Sequence, residues 1–284
     1  MSSYAWQGIF HHSVFQIFGT FAVLFWACIP IRGFINGSEK KLPLDGWYPY
    51  DVNNNLAFIL TWTHQGVAIV LCCINDLATD SFITGLINVA SCQFELLKWN
   101  FAALGNNLDE QNLMINLKEN CNNNNNNNKI NKKLHECIKH NLAIFDFIKE
   151  IQNIFSTVIG LQLFVSCFII CLSIFYLSQL TTFNPAEIIG NGAYILCMTY
   201  QIFIYTWQGN ELYLQNEALA GAIYMGSWWK LDSRFRRNLH IIMLRTQKPL
   251  ILTTKFLITL TIPTFMSIIQ TSYSMFTLLH RKNL

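Results

Sequence analysis

Long apolar runs alternate with polar stretches along the chain, and five runs stand out: residues 14–31, 56–74, 155–177, 188–207 and 250–279. Each approaches or exceeds the ~20 residues a helix needs to cross a hydrocarbon core. The last is rich in Thr and Ser and contains Pro263. Hydroxyls of that density suit a helix packed on other helices or facing a pore better than one facing lipid.

The polar stretches between these runs carry helical periodicity twice. Over 132–154, Cys137, Ile138, Leu142, Phe145, Ile148 and Ile151 recur at helical spacing, which predicts a helix running unbroken into the third apolar run. Over 208–248, Trp228, Leu231, Phe235, Leu239 and Ile242 form one stripe. That stripe must be covered by the membrane surface or by other helices. The small residues Ala218, Ala220, Gly221, Ala222 and Gly226 before it favour close helix packing. Between the second and third runs, Asn122 to Asn128 are all asparagine; such a tract cannot bury apolar surface and reads as an insertion in a loop. The fold class predicted is an all-α membrane protein, a bundle of about five transmembrane helices forming one domain over residues 1–284.

Composition agrees. Of 284 residues 52% are hydrophobic and only 12% charged, with 22 Phe, whereas soluble domains carry about 25% charged residues. A net charge of +3 is too small to suggest a nucleic-acid partner. Six of the nine cysteines (Cys28, Cys72, Cys73, Cys167, Cys171, Cys197) lie in or beside apolar runs, and there is no CxxC. They read as small buried hydrophobes rather than a disulfide framework. The N-terminus has neither a basic region nor a clear cleavage site, so the first run reads as a retained helix.

Charge placement sets the orientation. Lys98, Lys118, Lys129, Lys132, Lys133, Lys139 and Lys149 follow the second run, and Lys230, Arg234, Arg236, Arg237, Arg245 and Lys248 follow the fourth. The loop between the third and fourth has no Lys or Arg, and the loop between the first and second has only Arg32, Lys40 and Lys41. The positive-inside rule then puts the N-terminus in the cytoplasm and the C-terminus outside. Asn36, in the only N-x-S/T sequon, falls in a loop placed outside and is the expected glycosylation site.

No phosphate loop, nucleophile elbow or metal-ligand spacing occurs, so an enzyme, a metal or a cofactor is not expected. Aromatics gather in the predicted outer halves of the helices: Phe21, Phe25 and Trp26, then Phe58 and Trp62, then Phe175 and Tyr176, then Tyr194. With Met198 they read either as an interfacial belt or as a pocket for a small apolar ligand.

Several motifs resemble the insect odorant receptor family. NEALAGAIYMGSWW carries Glu217, Leu219, Ala222, Ile223, Tyr224 and Trp228; RRNLHIIMLRTQKPLIL carries Arg237, Leu239, Met243, Arg245, Pro249 and Leu250. TFMSIIQTSYSMFTLL matches the family's final helix through Phe265, Thr271, Ser272, Tyr273, Ser274 and Phe276, and LPLDGWYPYD matches an outer loop through Pro43, Trp47, Pro49 and Asp51. The resemblance implies a seven-helix, odorant-gated, non-selective cation channel subunit with a cytoplasmic N-terminus. It would assemble as a hetero-tetramer with the odorant receptor co-receptor in the plasma membrane of the olfactory neuron dendrite. It would bind a volatile apolar odorant through Phe21, Phe25, Trp26, Phe58, Trp62, Tyr194 and Met198. Ser272, Tyr273, Phe276, Leu278 and Leu279 would form the pore and gate. Tyr224, Trp228, Trp229, Phe235 and Leu239 would anchor the subunits. The five runs correspond to the family's third to seventh helices, so a shortened and non-functional copy is expected. A gustatory receptor-type channel and a G-protein-coupled-type chemoreceptor are the alternative readings; the latter requires the reverse topology.

Overall fold

The computed structural model describes residues 2–35, 42–44, 46–51, 54, 55–115, 123–179, 185–225, 233–246, 248 and 250–282. Within the helices, the side chains of 2–5, 25–35, 104–130, 186, 187, 234 and 282 fall outside that description. Asn36, Trp228 and Trp229 therefore lie outside the described residues.

Among the described residues six helices follow one another: α1 (Ser2–Ile35), α2 (Asn55–Ile115), α3 (Asn123–Gln179), α4 (Pro185–Met225), α5 (Ser233–Thr246) and α6 (Ile262–Lys282). Parts of α2, α3 and α4 are long and apolar enough to cross a membrane by length and composition. The expected continuity of 132–154 with the third apolar run is present, since α3 spans both. An equivalent continuation of the second run was not anticipated: α2 carries on for 61 residues.

The chain divides into two compact units. The first comprises Met1–Trp6, Thr84–Gly160 and Tyr205–Thr264. Its logic is a seam repeating every 3.5 residues. On α2 the buried positions are Ile87, Ala90, Phe94, Leu97 and Phe101; on α3 they are Leu134, Cys137, Asn141, Ile144, Ile148 and Ile151. On α4, Tyr205, Gln208, Leu212, Gln215 and Leu219 repeat the pattern, and on α5 Phe235, Leu239, Ile242 and Thr246 do. Alternating steps of four and three keep one face toward neighbouring helices. Burying each such aliphatic or aromatic side chain contributes roughly 1.5–3 kcal/mol. Phe94 packs edge-on against Phe145 at 6.0 Å, and the Arg245 guanidinium lies 5.4 Å from the centre of the Phe145 ring. Among the seam residues, burial, with the Glu136 carboxylate beside it, pushes the Cys137 thiol up to about 11, so Cys137 is a packing residue, not a nucleophile.

The expected helix over 250–279 exists only from Ile262. Residues 252–260 form a small hairpin closed by an antiparallel bridge between Thr253 and Thr259. Its backbone bonds run from Leu260 N to the Leu252 carbonyl (2.9 Å) and from Thr254 N to the Ile258 carbonyl (2.9 Å). The physical reason is the run of β-branched threonines, which prefer extended backbone. Pro263 does not break a helix but sits in the first turn of α6, where its missing N–H costs nothing. Leu257 at the hairpin tip has φ 60°, a left-handed conformation that costs a non-glycine residue roughly 1–2 kcal/mol.

Two glycines let helices approach this hairpin. A Cβ on Gly160 of α3 would lie 2.5 Å from Phe256 Cδ2, and one on Gly209 of α4 would lie 2.5 Å from Leu260 Cβ and collide with the Leu260 carbonyl oxygen. Gln152 of α3 adds bonds to the Thr253 carbonyl (3.1 Å) and hydroxyl (2.6 Å).

The second unit comprises Gln7–Ile83, Leu161–Ile204 and Phe265–Leu284. Around an apolar core it carries many outward apolar residues and several buried polar ones. Leu56, Leu60, Val67, Leu71, Leu161, Phe164 and Leu172 are exposed, while Thr61, Gln65, Asp80, Ser166, Gln201 and Ser272 are buried. Apolar residues outside and polar ones inside suit a lipid solvent.

Gly209→Ala is expected to destabilise the protein by about 1–3 kcal/mol through overpacking. Gly221→Ala on the same helix, with nothing within 4 Å, is expected to stabilise it by about 0.5–1 kcal/mol. Thermal unfolding of both variants in detergent tests this; equal effects would mean that the hairpin yields freely to α4.

Candidate functional site

Within the second unit, an aromatic chain links α1, α4 and α6. Tyr200 lies 5.8 Å from Phe18, 6.4 Å from Phe15 and 6.0 Å from Phe203 between ring centres, and Phe203 lies 5.7 Å from Phe265. The Tyr200 hydroxyl is 3.0 Å from His11 Nδ1. Beneath the rings, Phe15, Leu77 and Ile204 form an apolar cluster, with Cys73 and Cys197 packed against it.

A polar group begins at the next residue of α4 after Tyr200. Gln201, 2% exposed, donates its amide to Asp80, 5% exposed, and also reaches Asp76 at 3.4 Å. Asp76 and Asp80 are one helical turn apart, so one amide can serve both. Ser81 on the next position lies 2.5 Å from His12 Nδ1. Polar residues buried in a lipid-facing bundle either fix helix packing or mark function.

A cleft of about 450 Å³ opens between α1 and α2, lined by Gln16, Thr20 and Leu24 on one side and Val70, Cys73 and Leu77 on the other. Its size and mainly apolar walls fall in the range of small-molecule sites. Among the described residues, no group of three or more His, Cys, Asp or Glu could hold a metal ion.

Among the described side chains, none of those expected to bind ligand lines this cleft. Phe58 is buried, Trp62, Tyr194 and Met198 are half-buried and Phe21 is exposed; the side chains of Phe25 and Trp26 lie outside the described residues. Trp62 keeps a buried indole N–H with no hydrogen-bond partner. A strap of residues before α2 covers this end of it. Gln65 exchanges hydrogen bonds with Leu44 (3.1 and 2.9 Å) and donates to the Tyr48 hydroxyl at 2.5 Å, and Tyr50 bonds Thr61 at 2.8 Å.

On α6, the residues expected at the pore separate into two faces. Tyr273, Leu278 and Leu279 are exposed and Phe276 is half-buried. Ser272 departs from expectation: it is buried against α3, with its hydroxyl 3.3 Å from the Cys167 carbonyl and 3.2 Å from the Cys167 thiol. The anchor set also divides. Phe235 and Leu239 are buried in the interior of the chain's own first unit, which their helical spacing serves, whereas Tyr224 is 63% exposed.

The family model described as 7tm Odorant receptor matches residues 5–273. The chain belongs to the odorant receptor family. It is similar to odorant receptor Or1 of Anopheles gambiae, 25% identical over 280 residues, covering 94% of this chain and 66% of that one. It is also 25% identical over 246 residues to odorant receptor 46a, isoform A, of Drosophila melanogaster, covering 86% and 60%. The chain thus spans two thirds or less of the length of these curated relatives. Its fold is similar to that of the insect olfactory receptor OR5 from Machilis hrabei in complex with eugenol, with a TM-score of 0.82, 17% identity, and coverage of 99% of this chain and 68% of that one. As a member of this receptor family, the chain is a multi-pass membrane protein.

The residues that the sequence reading missed are Asp76, Asp80 and Gln201, with Tyr200 beside them. Gln201 was the available signal, an amide within an apolar run. Tyr200→Phe removes only the bond to His11 and is expected to cost this odorant receptor about 0.5–1.5 kcal/mol. Tyr200→Ala also removes the ring and is expected to cost about 3–5 kcal/mol. Thermal unfolding of the two variants side by side decides; equal losses would assign the whole effect to the hydroxyl.

Proposed function

We propose that this chain is a subunit of an odorant-gated, non-selective cation channel, assembled with the odorant receptor co-receptor as a hetero-tetramer in the plasma membrane of an olfactory neuron dendrite. Its N-terminus lies in the cytoplasm and its C-terminus outside, with α1 and α6 adding to the three more apolar helices to make five spans. Loop charge supports that orientation.

The observation that carries the reading is the division of α6. Phe265 and Ser272 turn toward packed neighbours, while Ser267, Gln270, Thr271, Ser274 and Thr277 are exposed along the opposite face. A row of hydroxyls and an amide is poorly matched to lipid but well matched to a water-filled path. Phe276, Leu278 and Leu279 at its outer end supply an apolar constriction that gates by dewetting. The ligand is a volatile, mostly apolar molecule, and a structure of a similar receptor with eugenol supports a small organic compound. The cleft between α1 and α2 is the cavity of suitable size. Binding there acts by population shift, favouring the arrangement in which α6 helices stand further apart. The route from ligand to pore is the aromatic chain through Tyr200 and Phe203 to Phe265.

Two measurements test the reading. Co-expression with the co-receptor should give odorant-evoked cation current, and Ser274→Cys should make that current sensitive to a water-soluble thiol reagent applied during odorant exposure. Insensitivity, with current intact, would remove α6 from the pore. Leu24→Trp fills the cleft and should raise the odorant concentration needed for half-maximal current by roughly tenfold, the effect of ~1.4 kcal/mol of lost binding, with surface expression unchanged.

A further inference from the structure

We infer that the hairpin before α6 is a membrane-interface anchor, in which Phe256 and Leu257 enter the acyl-chain boundary and Lys255 pairs with an anionic lipid phosphate. The inference depends on α3 spanning the membrane and not on channel activity.

The hairpin is laid along α3 in a definite direction. Its base is fixed to Gln152, which bonds Thr253, and its tip rests on Gly160, which Phe256 covers. Those two positions are eight residues apart, about 12 Å along a helix. The apolar run of α3 begins at Phe155, between them. The base therefore lies before the run and the tip more than a turn inside it. Ile154 and Val158, on the same stretch of α3, are exposed apolar residues. The tip thus stands where helix surface already meets lipid.

Its side chains match that position. Leu257 is 88% exposed and Phe256 54% exposed, and Lys255 is exposed beside them. Water would make that exposure unfavourable for both apolar groups. The headgroup boundary accepts it: segments on a membrane surface bury their apolar side roughly 5–10 Å deep. A lysine next to them extends its stem along the apolar layer and keeps its ammonium among phosphates. The left-handed backbone at Leu257 is a second indication. Glycine would adopt it without strain, yet the position holds a large apolar residue aimed outward. An opposite hydrophobic surface on a neighbouring subunit is the competing occupant. The cation in the tip, and its alignment with the start of an apolar run, favour lipid.

The full chain, reconstituted in nanodiscs, tests this through Leu257→Trp. The added tryptophan emission, taken as the difference from the parent protein, should be blue-shifted and mostly quenched by lipids brominated near the top of the acyl chain. Quenching by aqueous iodide instead would overturn the inference, as would a blue shift insensitive to brominated lipid, which would place a neighbouring protein over the tip. A second arm compares thermal unfolding in zwitterionic vesicles with that in vesicles containing phosphatidylserine. The parent should gain stability from the anionic lipid, and Lys255→Glu should lose that gain while matching the parent in zwitterionic lipid. Leu257→Gly keeps the backbone and should fold at least as well, yet lose the lipid-dependent part. An anionic-lipid gain that survives both substitutions would also overturn the inference.

Discussion

A backbone in hydrocarbon must satisfy its own hydrogen bonds, so the apolar runs of α2, α3 and α4 are helix, and nothing in those helices tells them to stop where the run ends. No proline interrupts α2 or α3, and the single proline of α4 stands at its first position. The helices therefore continue for 41 to 61 residues and meet two solvents along one rod. In the second unit their outer surfaces are Leu, Val and Phe; in the first, those residue types turn inward on a 3.5-residue seam. The same hydrophobic effect produces both patterns, because only the surrounding solvent changes.

The polar groups follow from this change. In the first unit, polar side chains bridge helices: Lys98 donates to Gln215, which donates in turn to Glu211 of its own helix at 2.7 Å, and His140 lies 2.9 Å from Gln93. In the second, the buried Gln201 amide reaches the carboxylates of Asp80 and Asp76 on α2. Each such contact fixes the rotation of one helix against another, where apolar contacts alone would tolerate slippage. The glycines at 160 and 209 act by the opposite means, removing side chains so that the hairpin lies against two helices and delivers the chain into α6.

Much of this was legible. The apolar runs, the continuous helix through 132–179 and the buried stripe of Phe235, Leu239 and Ile242 are direct consequences of spacing, and the final motif set pointed to the family. The continuation of α2 was missed because its seam, Ile87 to Phe101, is broken up by Thr, Ser and Asn on the other faces and reads as a polar loop when averaged. The hairpin was hidden inside an apolar run because hydropathy does not separate threonine-rich strand from threonine-rich helix. The cleft between α1 and α2 was not legible, because Thr20 and Cys73 are too ordinary to attract notice in a sequence.

Sequence alone thus determined the apolar runs, most of the helical segments, and the family to which the chain belongs. These are properties of composition and period, which survive any arrangement of the helices in space. The pairing of Gln201 with two aspartates, the burial of Ser272 against Cys167, the seating of Phe256 on Gly160 and the position of the cleft were decided by tertiary structure. Each joins residues separated by tens to more than a hundred positions along the chain, so its energy depends on the rotation and height of one helix against another. No local pattern encodes those two variables; the packing of all the helices together sets them.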